Sequence, residues 1–76
     1  MELFGTPDNR VDPRGGVGRL TEATLYLDPT EMKKLADFLN KCAKEASTTE
    51  IWDHEHFVDY LLDASYSGPD IIVYRS

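Results

Sequence analysis

The chain has 76 residues, with eight Lys plus Arg against fourteen Asp plus Glu, a formal charge of −6 and 41% hydrophobic residues. That length excludes a doubly wound sheet or a TIM barrel, and the composition fits one small globular domain over 1–76. One Cys excludes an internal disulfide framework, no apolar run approaches the ~20 residues that span a bilayer, and an acidic chain is poorly made to hold phosphate backbones, so neither membrane nor direct nucleic-acid binding is expected.

The N-terminus, MELFGTPDNR, has no apolar stretch after a basic start, so no signal peptide is expected and the cytoplasm is the expected compartment. Met1–Phe4 is expected to add an edge strand. From Thr6 to Gly18 the chain carries Pro7, Pro13, Gly15, Gly16 and Gly18, which predicts an irregular arm or long loop over 6–18. Gly15-Gly16-Val17-Gly18 lacks the Lys-Ser/Thr of a phosphate-binding loop and precedes a strand, so it reads as a flexible loop.

Over 20–27, Ala23, Leu25 and Leu27 alternate with Thr24 and Tyr26, which predicts a half-buried strand with Tyr26 facing solvent or a partner. A helix follows. Asp28 is placed as N-cap, Pro29 at the first helical position and Glu31 three after the cap, with Leu27 and Met32 at the staple positions. Met32, Leu35, Ala36, Leu39, Cys42, Ala43 and Ala46 share one face, with Phe38 at its margin. The predicted helix is about 29–46, ended by Ser47 and Thr48, whose hydroxyls compete for backbone hydrogen bonds.

Residues 53–63 support two readings. As a helix, Phe57, Val58, Leu61 and Leu62 share a face and Glu55, Asp59 and Asp63 form an outward acidic stripe. As a strand, His54, His56, Val58 and Tyr60 point one way, but Phe57 breaks the alternation. Periodicity slightly favours the helix, while Trp, His, Phe, Val and Tyr favour the strand. Ser67-Gly68-Pro69-Asp70 is a turn signal, and Ile71-Ile72-Val73-Tyr74 reads as a strand covered on both faces or nearly so. The predicted architecture is α+β. One amphipathic helix packs on a small antiparallel sheet of three to four strands: 20–27, 53–60, 70–75 and the optional 1–4.

This order of elements resembles one group of small bacterial immunity proteins, encoded beside the toxins of polymorphic toxin systems. The resemblance is carried by Asp28–Leu39, Asp53–Phe57 and Gly68–Arg75. It implies a strand for the His-x-His segment, and a non-catalytic protein that neutralises a cognate toxin.

Charge is uneven along the chain. Residues 1–46 hold eight acids and seven bases, a balance of −1. Residues 47–76 hold six acids (Glu50, Asp53, Glu55, Asp59, Asp63, Asp70) and one base, Arg75, a balance of −5. Such asymmetry steers a basic partner, although small domains also keep negative charge for solubility alone. The expected function is protein binding without catalysis or cofactor. Glu50, Asp53, Glu55, Asp59 and Asp63 attract a basic protein surface, and Trp52 and Tyr26 anchor it. Two alternatives stand beside it. One is a homodimer paired through the terminal strand. The other is a metal-binding protein using His54 and His56, which share a face only on a strand and show no third ligand. Catalytic patterns are thin: Cys42 falls on the apolar stripe, near the negative end of the helix dipole, where a thiolate is disfavoured.

Overall fold

A computed structural model describes residues 1–8 and 18–76. Most of the expected arm at 6–18 lies outside the described residues; its first two, Thr6 and Pro7, end a strand. The elements are β1 (Glu2–Pro7), β2 (Leu20–Tyr26), α1 (Pro29–Thr48), β3 (His54–His56), α2 (Phe57–Leu61) and β4 (Ile72–Tyr74). The class is α+β, but the strands form two separate antiparallel ribbons, β1–β2 and β3–β4, rather than one sheet.

The start of α1 follows its local chemistry. The Asp28 carboxylate accepts from the Glu31 amide at 2.8 Å and the Glu31 carboxylate accepts from the Asp28 amide at 2.9 Å, a reciprocal capping box. Pro29 sits in the first turn, where no amide donor is missed. The N-terminal ammonium joins Glu31 at 2.8 Å and ties the start of β1 to the same cap.

The end of α1 corrects the expectation. The hydroxyls of Ser47 and Thr48 donate back to the carbonyls of Ala43 and Lys44, so these residues extend the helix by two. No base stands in the last turn of α1. Arg75 arrives from the end of β4 instead, donating to the carbonyls of Thr49 (2.8 Å), Trp52 (3.0 Å) and Ala46. A cation is thus placed where the helix dipole is negative.

The core is small and centred on Phe38, not at its margin. Leu35, Phe38, Cys42 and Phe57 are buried, while Met32 and Leu39 stay half exposed. The Phe38 ring lies 5.2 Å from Phe57 and 5.3 Å from Tyr60. Each fully buried Phe contributes roughly 1.5–3 kcal/mol by transfer from water. Met1, Leu27, Trp52, Leu61, Tyr66, Ile71 and Val73 pack around this centre.

The ambiguous segment is both things in turn. Residues 54–56 are strand, and α2 begins at Phe57 with no intervening loop. Phe57 donates its amide to the Ile71 carbonyl as the last rung of the ribbon, then buries its ring against Phe38. The Asp70 carboxylate accepts from the Val58 amide at 3.0 Å, capping α2 from across the ribbon where His56 itself makes no side-chain cap. The helix ends on Leu62 in the left-handed region, φ 52°, with its side chain almost wholly exposed.

The terminal apolar run is not covered on both faces. Ile71 and Val73 turn inward, while Ile72 and Tyr74 are exposed. The β1–β2 ribbon departs further from expectation, since every residue of both strands is exposed and α1 does not cover its leucine face. Met1, just before β1, and Leu27, just past β2, reach the core. Among the described residues, no helix is long and apolar enough to cross a membrane.

Candidate functional site

The β3–β4 ribbon has two distinct faces, because alternate residues of a strand point oppositely. Glu55 opposes Val73 and faces α1, where its carboxylate oxygens lie 2.8 Å from the Lys41 ammonium. Lys41 also reaches Glu45 at 3.0 Å, and these two carboxylates raise its pKa. The opposite face carries His54 across from Tyr74 and His56 across from Ile72. On it, the His54 ring stacks on Tyr74 (centroids 4.6 Å, planes 15° apart) and meets His56 edge-on at 5.4 Å.

A carboxylate stands at each end of this outer platform. His54 Nδ1 lies 2.7 Å from Asp53 Oδ2, and His56 Nδ1 lies 2.6 Å from Asp70 Oδ2. Partial desolvation pushes the Asp70 carboxyl upward, but the Val58 amide and the His56 ring outweigh it and hold the group below the usual carboxylate range. Asp70 is therefore anionic at neutral pH.

Beside the platform lies an open groove of about 560 Å³. Leu39, Ala43 and Ala46 of α1 form one wall, and Trp52 and Tyr74 border it. These helix residues belong to the predicted apolar stripe. The small core covers only its Phe38 side, so the rest lines the groove. Trp52 is half-buried, with one side on the core and the other on the groove.

The seven sequence-predicted binding residues are not gathered in one place. Trp52 and Asp53 stand at the platform and groove. Glu50 is exposed in the turn after α1. Glu55 is on the inner face, paired with Lys41, and Asp59 borders the same hollow as Lys41 and Glu55. Asp63 accepts from the amide and hydroxyl of Ser65, which lower its pKa, and borders a hollow with Met1, Glu31 and Lys34. Tyr26 lies on the β1–β2 ribbon, its ring edge-on to Phe4 at 5.7 Å.

Two members of the platform, Asp70 and Tyr74, lay outside the sequence-predicted set. The Ser-Gly-Pro-Asp turn was the available signal, since it aims the residues after it back along β3.

His54 and His56 do project from one face, as joint ligation requires. Each Nδ1 is engaged by its own carboxylate, and among the described residues no group of three His, Cys, Asp or Glu could hold a metal. Cys42 is in the core, and burial pushes its thiol up, away from the reactive thiolate. What the platform offers is a ring-bearing surface with anionic ends, beside a groove walled by Leu39, Ala43 and Ala46 and lined also by Arg75. Comparison with family models, with curated proteins and with solved structures returned no match.

Proposed function

We propose that this chain is a non-catalytic protein-binding module that holds a basic protein surface on the outer face of β3–β4. One observation carries the reading. The only base of the last thirty residues, Arg75, is drawn onto the carbonyls of Ala46, Thr49 and Trp52, while Asp53 and Asp70 flank exposed rings. Arg75 keeps its charge at the rim of the groove, and two carboxylates against one guanidinium leave the platform acidic on balance.

The division of labour follows from charge and area. Glu50, Asp53 and Asp70 speed the encounter with a basic surface. Tyr74, His54 and Trp52 set the lifetime, because rings supply large contact area at low entropic cost. An apolar side chain of the partner fills the groove between Trp52 and Leu39. The resemblance to immunity proteins supports the same reading and narrows the partner to a cognate toxin, met in the cytoplasm, whose basic cleft the platform occludes.

The test is surface-captured binding of the polypeptide encoded directly upstream of the gene for this chain, which this reading expects to be a toxin with a basic cleft. Asp53→Lys slows association by about tenfold at low salt, with the difference shrinking as salt is added. Tyr74→Ala speeds dissociation. Association unchanged by Asp53→Lys overturns the proposal, as does a toxin that never binds.

A further inference from the structure

The chain has two histidines, and both stand on the outer face of β3–β4. Residues two apart on a strand are spaced about 6.6 Å along the chain. The His54 and His56 rings lean closer than that, with centres 5.4 Å apart. Stacking on Tyr74 at 4.6 Å fixes the plane of the His54 ring. Each Nδ1 is held by a carboxylate, His54 by Asp53 at 2.7 Å and His56 by Asp70 at 2.6 Å. An ionised carboxylate can only accept, so each Nδ1 donates, and the neutral ring then carries its lone pair on Nε2. Among the described residues neither Nε2 has a hydrogen-bond partner.

This is the arrangement that a shared metal ion asks of two histidines. An ion about 2.1 Å from Nε2 lies about 3.2 Å from the ring centre, and two rings on one tetrahedral ion then stand about 5.2 Å apart. The observed 5.4 Å is that spacing to within about 0.2 Å. The carboxylates stand at opposite ends of the platform, and the two nitrogens of an imidazole flank one ring carbon. Drawing each Nδ1 outward therefore turns each Nε2 toward the middle. A carboxylate on the second nitrogen is also the usual companion of a metal-bound histidine, since it fixes the tautomer and makes the ligating nitrogen more basic. Among the described residues no group of three His, Cys, Asp or Glu could hold a metal. The two rings thus make an open chelate rather than a closed cage, and water fills the remaining positions.

We propose that His54 and His56 chelate one divalent transition-metal ion on the surface of the β3–β4 ribbon, through Nε2 of each ring. The ion belongs to the class that prefers imidazole: Zn²⁺, Cu²⁺ or Ni²⁺. Hard ions such as Mg²⁺ do not compete, because they take oxygen ligands and keep most of their water. The acids at the two ends of the platform favour a cation between them. With water in its other positions the ion exchanges with solvent and can accept a donor atom from a second molecule. This inference does not rest on the protein-binding reading, and its test uses the chain and the ion alone.

The test is calorimetric titration of the untagged full chain with Zn²⁺, with the ring nitrogens followed by nuclear magnetic resonance. No other imidazole is present, and Cys42 is buried, so the signal belongs to this pair. The wild type takes one ion per chain. Both Nε2 resonances move together, while both Nδ1 atoms keep their protons. His54→Ala and His56→Ala each lower the affinity by about tenfold or more, and the double variant loses little beyond either, because a chelate needs both rings. The ring spectra of the wild type decide the matter even where a variant fails to fold. Rings unmoved at about 1 mM Zn²⁺ overturn the proposal. So do single variants that each cost only about twofold, as two independent rings would, ligation through Nδ1, or equal ring shifts with Mg²⁺.

Discussion

Arg75→Ala removes one side chain and releases three backbone acceptors at once. The guanidinium donates to the carbonyls of Thr49 at 2.8 Å and Ala46, at the C-terminal end of α1, and of Trp52 at 3.0 Å, past the turn that follows. A charged hydrogen bond contributes about 1.5–3 kcal/mol when it is shielded, and less here, since water refills these exposed carbonyls. The charge at a helix terminus adds about 0.3–1 kcal/mol. Together the substitution costs about 1–2 kcal/mol. With a urea slope near 1 kcal/mol/M for so small a domain, the unfolding midpoint falls by about 1–2 M. Trp52 is the only tryptophan and lies beside the lost contact, so its fluorescence reports the transition. Arg75→Lys restores the charge at the helix end but not the fork that spans three carbonyls, and recovers only the smaller share. A midpoint shift below about 0.5 M in Arg75→Ala refutes the reasoning. Arg75 would then be free in solution.

Four further outcomes follow from the same packing. Phe38→Ala, at a fully buried position against Phe57 and Tyr60, loses about 3–5 kcal/mol against a total of about 4–11 for 76 residues, and urea melts followed by circular dichroism show the midpoint falling accordingly; a loss under about 1 kcal/mol contradicts the core assignment. Leu62→Gly relieves a left-handed residue whose side chain buries almost nothing, and raises stability by up to about 1 kcal/mol in urea melts. Asp70→Ala removes the cap of α2 and the partner of His56. Because the folded Asp70 carboxyl lies below its unfolded value, its contribution is complete above about pH 4 and is lost as the pH falls through the lower folded value; a stability gap to the wild type that instead closes between pH 8 and 6 rejects this role for Asp70. Cys42 reacts with a thiol reagent only as fast as the chain unfolds, and rapid labelling of folded protein would place it outside the core.

The parts of the fold that were legible in the sequence are those held by near neighbours. Asp28, Pro29 and Glu31 begin α1 through contacts three residues long, and the alternation of 20–26 reads directly as a strand. What was not legible depends on distant partners. The switch from strand to helix at Phe57 is held by Asp70 and Ile71, on the far side of the ribbon. The apolar stripe of α1 is wider than its cover, so the pattern alone did not tell that Phe38 would be central and Leu39 left on a groove. Ser47 and Thr48 extend α1 because their hydroxyls found helix carbonyls before any turn. At the candidate site, the shared face of His54 and His56 was readable from spacing, and the acidity of the last thirty residues from counting. That Glu55 is paired inward with Lys41, and that Arg75 is withdrawn onto α1, needed three dimensions.

Nuclear magnetic resonance mapping of the chain titrated with its basic protein partner tests the central claim most directly. The account places the largest shifts at the Trp52 indole, Asp53, His54, His56 and Tyr74, with Asp63, Ser65 and Tyr26 unmoved. Shifts centred on the Lys33–Lys34 side of α1 or on Asp63, with the Tyr74 ring and Trp52 indole silent, would contradict it.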